Sequence, residues 1–236
     1  MHRVDRNSAP KGIKTKDNKW KLKLSTNPQA KHGWDKFGGT LKAKVRESLG
    51  KMYGNCCCYC EGEMNATSYP EIEHFRPKGK IEHQHLCYDY TNLHYCCRRC
   101  NSAKDEDFDE DMIDPSIEDP TKHIVYNSYI AIAVEGSARG VLMISTLKLN
   151  ARKDLEKARM DMFSTYERQY KVIEECIEKL KYTGLTNQEV KFIYIVIDEI
   201  KFGSEHGSSY CSMLKQNFLD NILLIEGILK ARGYKQ

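Results

Sequence analysis

Apolar residues in this chain fall into helical spacing near both ends and into strand spacing in the middle. Trp34, Phe37, Leu41, Val45, Leu49 and Met52 recur at three- and four-residue steps, which predicts a helix over 34–52 with Gly54 as its C-terminal stop. Residues 1–33 lack that periodicity. They are rich in Lys, Asn and Ser, are punctuated by Pro10 and Pro28, and read as an extended arm. Residues 71–77 alternate, with Ile72 and Phe75, and predict a short strand turned by Pro77, Lys78 and Gly79; 88–96 read as the returning strand and 97–104 as a short helix. Further along, 124–126, 130–134 and 141–144 look like short strands of a small sheet, the last two turned by Gly136 and Gly140. A long helix follows over 151–182, with Leu155, Met162, Tyr166, Tyr170, Ile173 and Ile177 along one stripe. Thr186 and Glu189 form a capping-box signal for a helix to about Phe202, and Leu214, Phe218, Leu219, Ile222 and Ile225 predict a last one over 210–231. The fold class is α+β, with a small β element and a predominantly helical C-terminal region.

At 236 residues the chain can hold one sizeable domain, or a small module packed on a helical body. Its patterns divide it into a basic arm (1–33), a central module (34–123) and a sheet-plus-helix region (124–236) available for partner docking. The net charge of +4 is unevenly spread. About a dozen Lys/Arg face about three acids between Arg3 and Arg46, whereas Asp105 to Asp119 is strongly acidic. The basic stretch suits phosphate neutralisation or a solvated tail; the acidic run suits a solvated face, or a restraint on a basic site. No apolar run approaches the roughly 18 residues of a membrane span. The polar opening Met1 to Arg6 does not resemble a secretory leader, so ten cysteines are expected reduced in a cytoplasmic protein rather than paired as disulfides.

Four of those cysteines form two Cys-x-x-Cys pairs, Cys57/Cys60 and Cys97/Cys100, which can complete one tetrahedral structural Zn²⁺ site. Cys56, Cys58 and Cys96 flank the pairs and leave the register open; Cys87, Cys176 and Cys211 read as ordinary buried thiols. Between the pairs lies Glu71-Ile-Glu-His-Phe-Arg-Pro-Lys78, and the second pair runs into Asn101 and Lys104. A strand, turn, strand and helix with zinc at the base has the shape of a ββα-metal finger. His74 read alone is a core histidine; with Glu73 before it, Arg76 and Lys78 after it, and Asn92 and Asn101 downstream, it is a candidate catalytic base. His83, His85 and His94 are alternative metal ligands, and the other histidines read as surface or packing residues.

Glu73-His74, Asn92 and Cys97-x-x-Cys100-Asn101-x-x-Lys104 resemble the HNH endonuclease superfamily. More narrowly, Cys57 to Glu61, Ile72 to Lys78, Asn92-Leu93 and the stretch from Asp114-Pro115 to Asp119-Pro120 are similar to the Septu-type and retron-associated HNH proteins. The resemblance implies that His74 is the general base and that Glu73 and Asn101 supply oxygen ligands to one catalytic Mg²⁺ or Mn²⁺. It also implies that Asn92 braces the hairpin. Arg76, Lys78 and Lys104 are expected at phosphates. Glu73 stands where Asp is commoner in the superfamily and Asn101 where His is; both keep an oxygen donor, which suits Mg²⁺ at the catalytic position. The family further implies cleavage of DNA in antiphage defence under control of a PtuA-like partner ATPase, accompanied in some retrons by a reverse transcriptase and its noncoding RNA. Two other readings keep the same residues: a nuclease acting on RNA, and a non-catalytic zinc-stapled module that binds nucleic acid or protein.

Overall fold

A computed structural model describes residues 1–37, 39–64 and 69–235. Its centre is a two-stranded antiparallel hairpin, β1 (Pro70–His74) and β2 (Leu93–Cys97), in which Pro70 pairs with Cys97 and His74 with Leu93. Helix α3 (Arg98–Lys104) follows β2 without a break and packs back on both strands. The returning strand is shorter than its alternation predicts. The Asp89 carboxylate accepts from Thr91 N at 3.0 Å and caps a 3₁₀ turn at Tyr90–Asn92, so pairing begins only at Leu93.

The expected 34–52 helix is divided. Trp34–Lys36 forms a 3₁₀ turn and α2 spans Gly39–Met52; residue 38 lies outside the described residues. Gly54 ends this run at φ 57°, and a Cβ there would lie 2.1 Å from the Gly207 Cα, so the close approach of the C-terminal region also requires glycine.

Residues 1–33 are not an extended arm. Residues Ile13–Thr26 form helix α1, whose Ile13 and Trp20 are buried. Trp20 donates its indole N–H to the Gln84 carbonyl at 2.6 Å, and Val4 N donates to Pro115 O at 2.8 Å. Arg6 reaches the Tyr90, Thr91 and Leu93 carbonyls and His94. The buried face of α1 is Ile13, Asp17 and Trp20, a helical spacing whose middle position is charged, and that is why apolar periodicity missed it.

Beyond the hairpin, β3 (Ile124–Asn127) and β4 (Ile130–Ala133) form a second antiparallel pair. The expected strand at 141–144 is instead the middle of helix α4 (Ala138–Thr146). Ser137 caps it by accepting from Gly140 N at 3.1 Å, an interaction worth about 1 kcal/mol in typical helices. Gly140 is there for contact rather than for a turn, since a Cβ would meet the His123 carbonyl oxygen at 2.1 Å. Helix α5 (Lys153–Lys179) and helix α6 (Asn187–Gly203) follow, and the Thr186–Glu189 capping box forms as its sequence signal predicts.

The last helix is interrupted. After Tyr210 in the left-handed region come α7 (Cys211–Leu214), a π segment (Lys215–Leu219) and α8 (Asp220–Ala231). The π segment has a visible use. Gln216 Oε1 accepts from Tyr126 N at 2.6 Å, and Asn217 takes the N–H and C=O of Ser128 at 3.0 Å each, satisfying backbone groups beside the second hairpin. Among the described residues, no helix is long and apolar enough to cross a membrane.

Candidate metal centre and cleft

The sulfurs of Cys57, Cys60, Cys97 and Cys100 all lie within 4.8 Å of one another. A tetrahedral Zn²⁺ with bonds near 2.3 Å places its sulfurs about 3.8 Å apart, and the Cys60–Cys97 separation is 3.9 Å. The backbone already addresses these sulfurs: Cys97 N donates to Cys57 Sγ at 3.4 Å, and Cys100 N to Cys97 Sγ at 3.3 Å, the latter also capping α3. Hydrogen bonding with Cys100 holds the Cys97 thiol down to about 4. Arg152, just before α5, donates to Cys100 Sγ at 3.3 Å and offsets thiolate charge. Sequence reading missed this arginine because it lies 52 residues away. A three-sulfur set of Cys57, Cys58 and Cys96 is also close. The thiols of Cys58 and Cys96 are raised well above their ordinary value, but so are those of Cys60 and Cys100, and the set of four is preferred because it completes a tetrahedron where the set of three does not. The cluster of four therefore fits a structural zinc ion.

At the far end of the hairpin a cleft of about 190 Å³ is lined by Ile72, Glu73, His74, Pro77, Lys78, Gly79, Asn101, Ser102, Asp105 and Glu106. The fold thus brings Glu73, His74, Lys78 and Asn101 to one wall. His74 is buried, and its Nε2 lies 3.0 Å from the Cys87 carbonyl. A carbonyl can only accept, so Nε2 carries the proton and Nδ1 keeps the lone pair. Trp34 meets the imidazole edge-to-face at 4.4 Å, and Trp34, Phe37 and Tyr88 pack together behind it. That apolar wall desolvates His74 and, with Lys78, lowers its pKa to about 3. The histidine stays neutral at any ordinary pH.

Glu73 is buried, and burial raises its carboxyl against the opposing pull of Lys104. Lys104 does not face solvent as a phosphate ligand would. It is fully buried, with its ammonium 2.8 Å from Glu73 Oε1 and 3.2 Å from the His74 carbonyl. Tyr59 donates to the same Glu73 oxygen at 3.4 Å. A lysine at the end of a short helix faces inward here because a buried carboxylate would otherwise lack a counter-charge.

Asn101 Nδ2 donates to Glu71 Oε2 at 2.6 Å, which leaves its amide oxygen as the free donor atom. Glu71 was not singled out from sequence, although the i, i+2 spacing to Glu73 puts both on one strand face. Asn92 clamps the hairpin end: Arg76 N donates to its Oδ1 at 2.8 Å, and its Nδ2 donates to Arg76 O at 3.0 Å. It belongs to the frame of the cleft and not to its lining. Arg76 pairs with Glu110 of the acidic run at 2.7 Å, and Glu106 lies against Gly79. Lys16 and Lys42 add cations over the Tyr88 and Trp34 rings at 5.0 Å each.

The alternative histidine ligands have other partners. His94 is fully buried between Tyr53 Oη, 2.5 Å from Nδ1, and Asp114 Oδ1, 3.5 Å from Nε2. His83 lies against Phe108, and His85 occupies the 3₁₀ turn Ile81–Leu86.

No family model matches the chain. Among curated proteins it is similar to Septu protein PtuB of Bacillus mycoides (strain KBAB4), with 31% identity over 144 aligned residues, covering 48% of this chain and 49% of that protein. The chain thus spans about half the length of the curated relative it matches, and over that half it is PtuB-like.

Proposed function

From that likeness to PtuB, we propose that this chain is the effector of a Septu antiphage defence system and acts as a metal-dependent HNH endonuclease on DNA. The observation that carries the reading is the cleft lined together by a neutral histidine, a carboxylate, an amide side chain and Lys78. Glu73 and Asn101 are the oxygen donors suited to a hard divalent ion, Mg²⁺ or Mn²⁺. Such an ion, when bound, supplies Lewis-acid stabilisation of the scissile phosphate and the leaving oxygen.

The protein's own groups do the rest. His74 takes a proton from the attacking water at Nδ1, and the Cys87 carbonyl keeps the tautomer that leaves Nδ1 free. Arg76 and Lys78 hold the phosphate, and Lys16 and Lys42 extend the basic rim. Asn92 keeps Arg76 and the strand end in register. Lys104 serves as the counter-charge of Glu73. A PtuA-like ATPase is the expected partner, with the helices after residue 151 as its docking region.

The Glu73–Lys104 pair also favours a second reading, in which this end of the hairpin is structural and the protein is a zinc-stapled nucleic-acid-binding module. One experiment separates the two. The chain, co-expressed with a PtuA-like ATPase, is incubated with duplex DNA or tRNA and Mg²⁺, using His74→Ala as control. Cleavage lost in a folded, zinc-loaded His74→Ala protein supports the nuclease and identifies its polymer. Cleavage that survives the substitution moves the chemistry away from His74, and binding without cleavage by either protein supports the second reading.

A further inference from the structure

A second cluster of metal-type donors lies outside both the four-cysteine centre and the cleft. His2 Nδ1, a Glu61 carboxylate oxygen and Cys211 Sγ all lie within 4.8 Å of one another. The separations are 2.7 Å from His2 Nδ1 to Glu61 Oε1, 3.2 Å from Cys211 Sγ to His2 Nδ1, and 3.8 Å from Cys211 Sγ to Glu61 Oε1. Glu61 and Cys211 are buried, and His2 is half-buried.

Three distant parts of the chain converge here: its start, the turn after Cys60, and the first residue of α7. The convergence is built into the backbone. Glu61 and Tyr210, neither of them glycine, both adopt left-handed conformations, at φ 60° and 53°, and Tyr210 N donates to the Glu61 carbonyl at 3.1 Å. Non-glycine residues in that region are held there by their surroundings and concentrate at functional sites.

Nitrogen, oxygen and sulfur together make the donor set that a borderline divalent ion such as Zn²⁺ accepts, and that Mg²⁺ or Ca²⁺ does not favour. Tetrahedral zinc with such ligands spaces its donors by about 3.3 to 3.8 Å. Two of the separations lie within a few tenths of an ångström of that spacing, and the His2–Glu61 pair reaches it by opening about 0.6 Å from 2.7 Å. A cavity of about 410 Å³ lined by His2, His206, Cys211 and Ser212 leaves room for water as a fourth ligand.

We propose that His2, Glu61 and Cys211 form a second Zn²⁺ site, which ties the start of the chain and the C-terminal helices to the turn that carries Cys60. On binding, the Cys211 thiol gives up its proton and sulfur coordinates as thiolate. The site is independent of nuclease activity. Without an ion, the same residues form a hydrogen-bonded cluster in which Glu61 is balanced by the Met1 amino group at 2.9 Å and by the Ser212 hydroxyl at 2.6 Å.

Elemental analysis of the full chain, equilibrated with Zn²⁺ and freed of excess, distinguishes these states. The site predicts about two zinc ions per chain in the parent protein and about one in Cys211→Ser and in His2→Ala. Co²⁺ exchange should show the four-thiolate absorption in all three proteins and a further thiolate band only in the parent. Two variants guard against a folding defect in one, since His2 is half-buried. A parent count of one, or an unchanged count in folded His2→Ala, overturns the site.

Discussion

The two ends of the β1–β2 hairpin differ in what fills them. At the Cys97 end, four sulfurs face one another and the surrounding amides and Arg152 are arranged for thiolates. At the His74 end, nitrogen and oxygen atoms line a small cleft that holds Lys78 together with the acidic Glu73, Asp105 and Glu106. The ladder from Cys97 to Leu93 spans four residue steps, about 13 Å at the rise of a strand. Helix α3 runs along the hairpin with Cys100 at the sulfur end and Lys104 at Glu73, and Asn101 lies between them, bonded to Glu71 and lining the cleft. A soft-donor staple thus fixes the helix that carries the hard-donor side chains. On the proposed function, stability and chemistry are separated along a single element.

That separation makes unequal predictions for substitutions at the two ends. The largest effect belongs to the sulfur end. Cys100→Ser should release zinc and abolish cooperative unfolding, because structural zinc contributes on the order of 10 kcal/mol to small zinc modules; zinc content and a thermal melt would show it. A cooperative melt with zinc retained would move the staple to the neighbouring Cys57, Cys58 and Cys96 set.

Next comes the buried pair. Lys104→Met leaves Glu73 without its counter-charge and should cost about 3 to 5 kcal/mol, as removal of one member of a buried ion pair does. Adding Glu73→Gln to the same chain should recover much of that loss in denaturant unfolding. If Lys104→Met costs less than about 1 kcal/mol, Lys104 is not the counter-charge of the cleft.

The smallest effect lies between the ends, at His94 and Asp114. Burial works against the Asp114 carboxylate, but His94 and Ser116 outweigh it and hold its pKa down to about 2. Below its ordinary value of 3.8 the unfolded chain takes up the proton first. The contribution of Asp114 is therefore present above about pH 4 and lost as the pH falls towards 2, on the order of 2 kcal/mol in all. Acid unfolding of Asp114→Asn should lack that part of the pH slope.

The same contrast explains what the sequence made legible. The cysteine pairs, the hairpin, α3 and the Thr186–Glu189 cap depend on spacings of a few residues, and local spacing is what a sequence displays. The tautomer of His74 depends on Cys87, its low pKa on Trp34, Phe37 and Tyr88, and the orientation of Asn101 on Glu71, all contacts that no short-range pattern encodes. Lys104 was placed at phosphate because charge suggests solvent, and its burial became visible only with Glu73 beside it. The misread strand at 141–144 has a similar cause: Val141 and Ile144 are β-branched ends of a four-residue apolar run that periodicity cannot tell from a helix segment, and Ser137 with the contact at Gly140 decides for helix.

The most direct test of two separate ends is a Mn²⁺ titration of the zinc-loaded protein followed by electron paramagnetic resonance, comparing the parent with Asn101→Ala. The account predicts that the parent binds one Mn²⁺, that Asn101→Ala weakens that binding at least tenfold, and that zinc content and melting temperature do not change. Equal Mn²⁺ binding in both proteins, or zinc loss in Asn101→Ala, would contradict it.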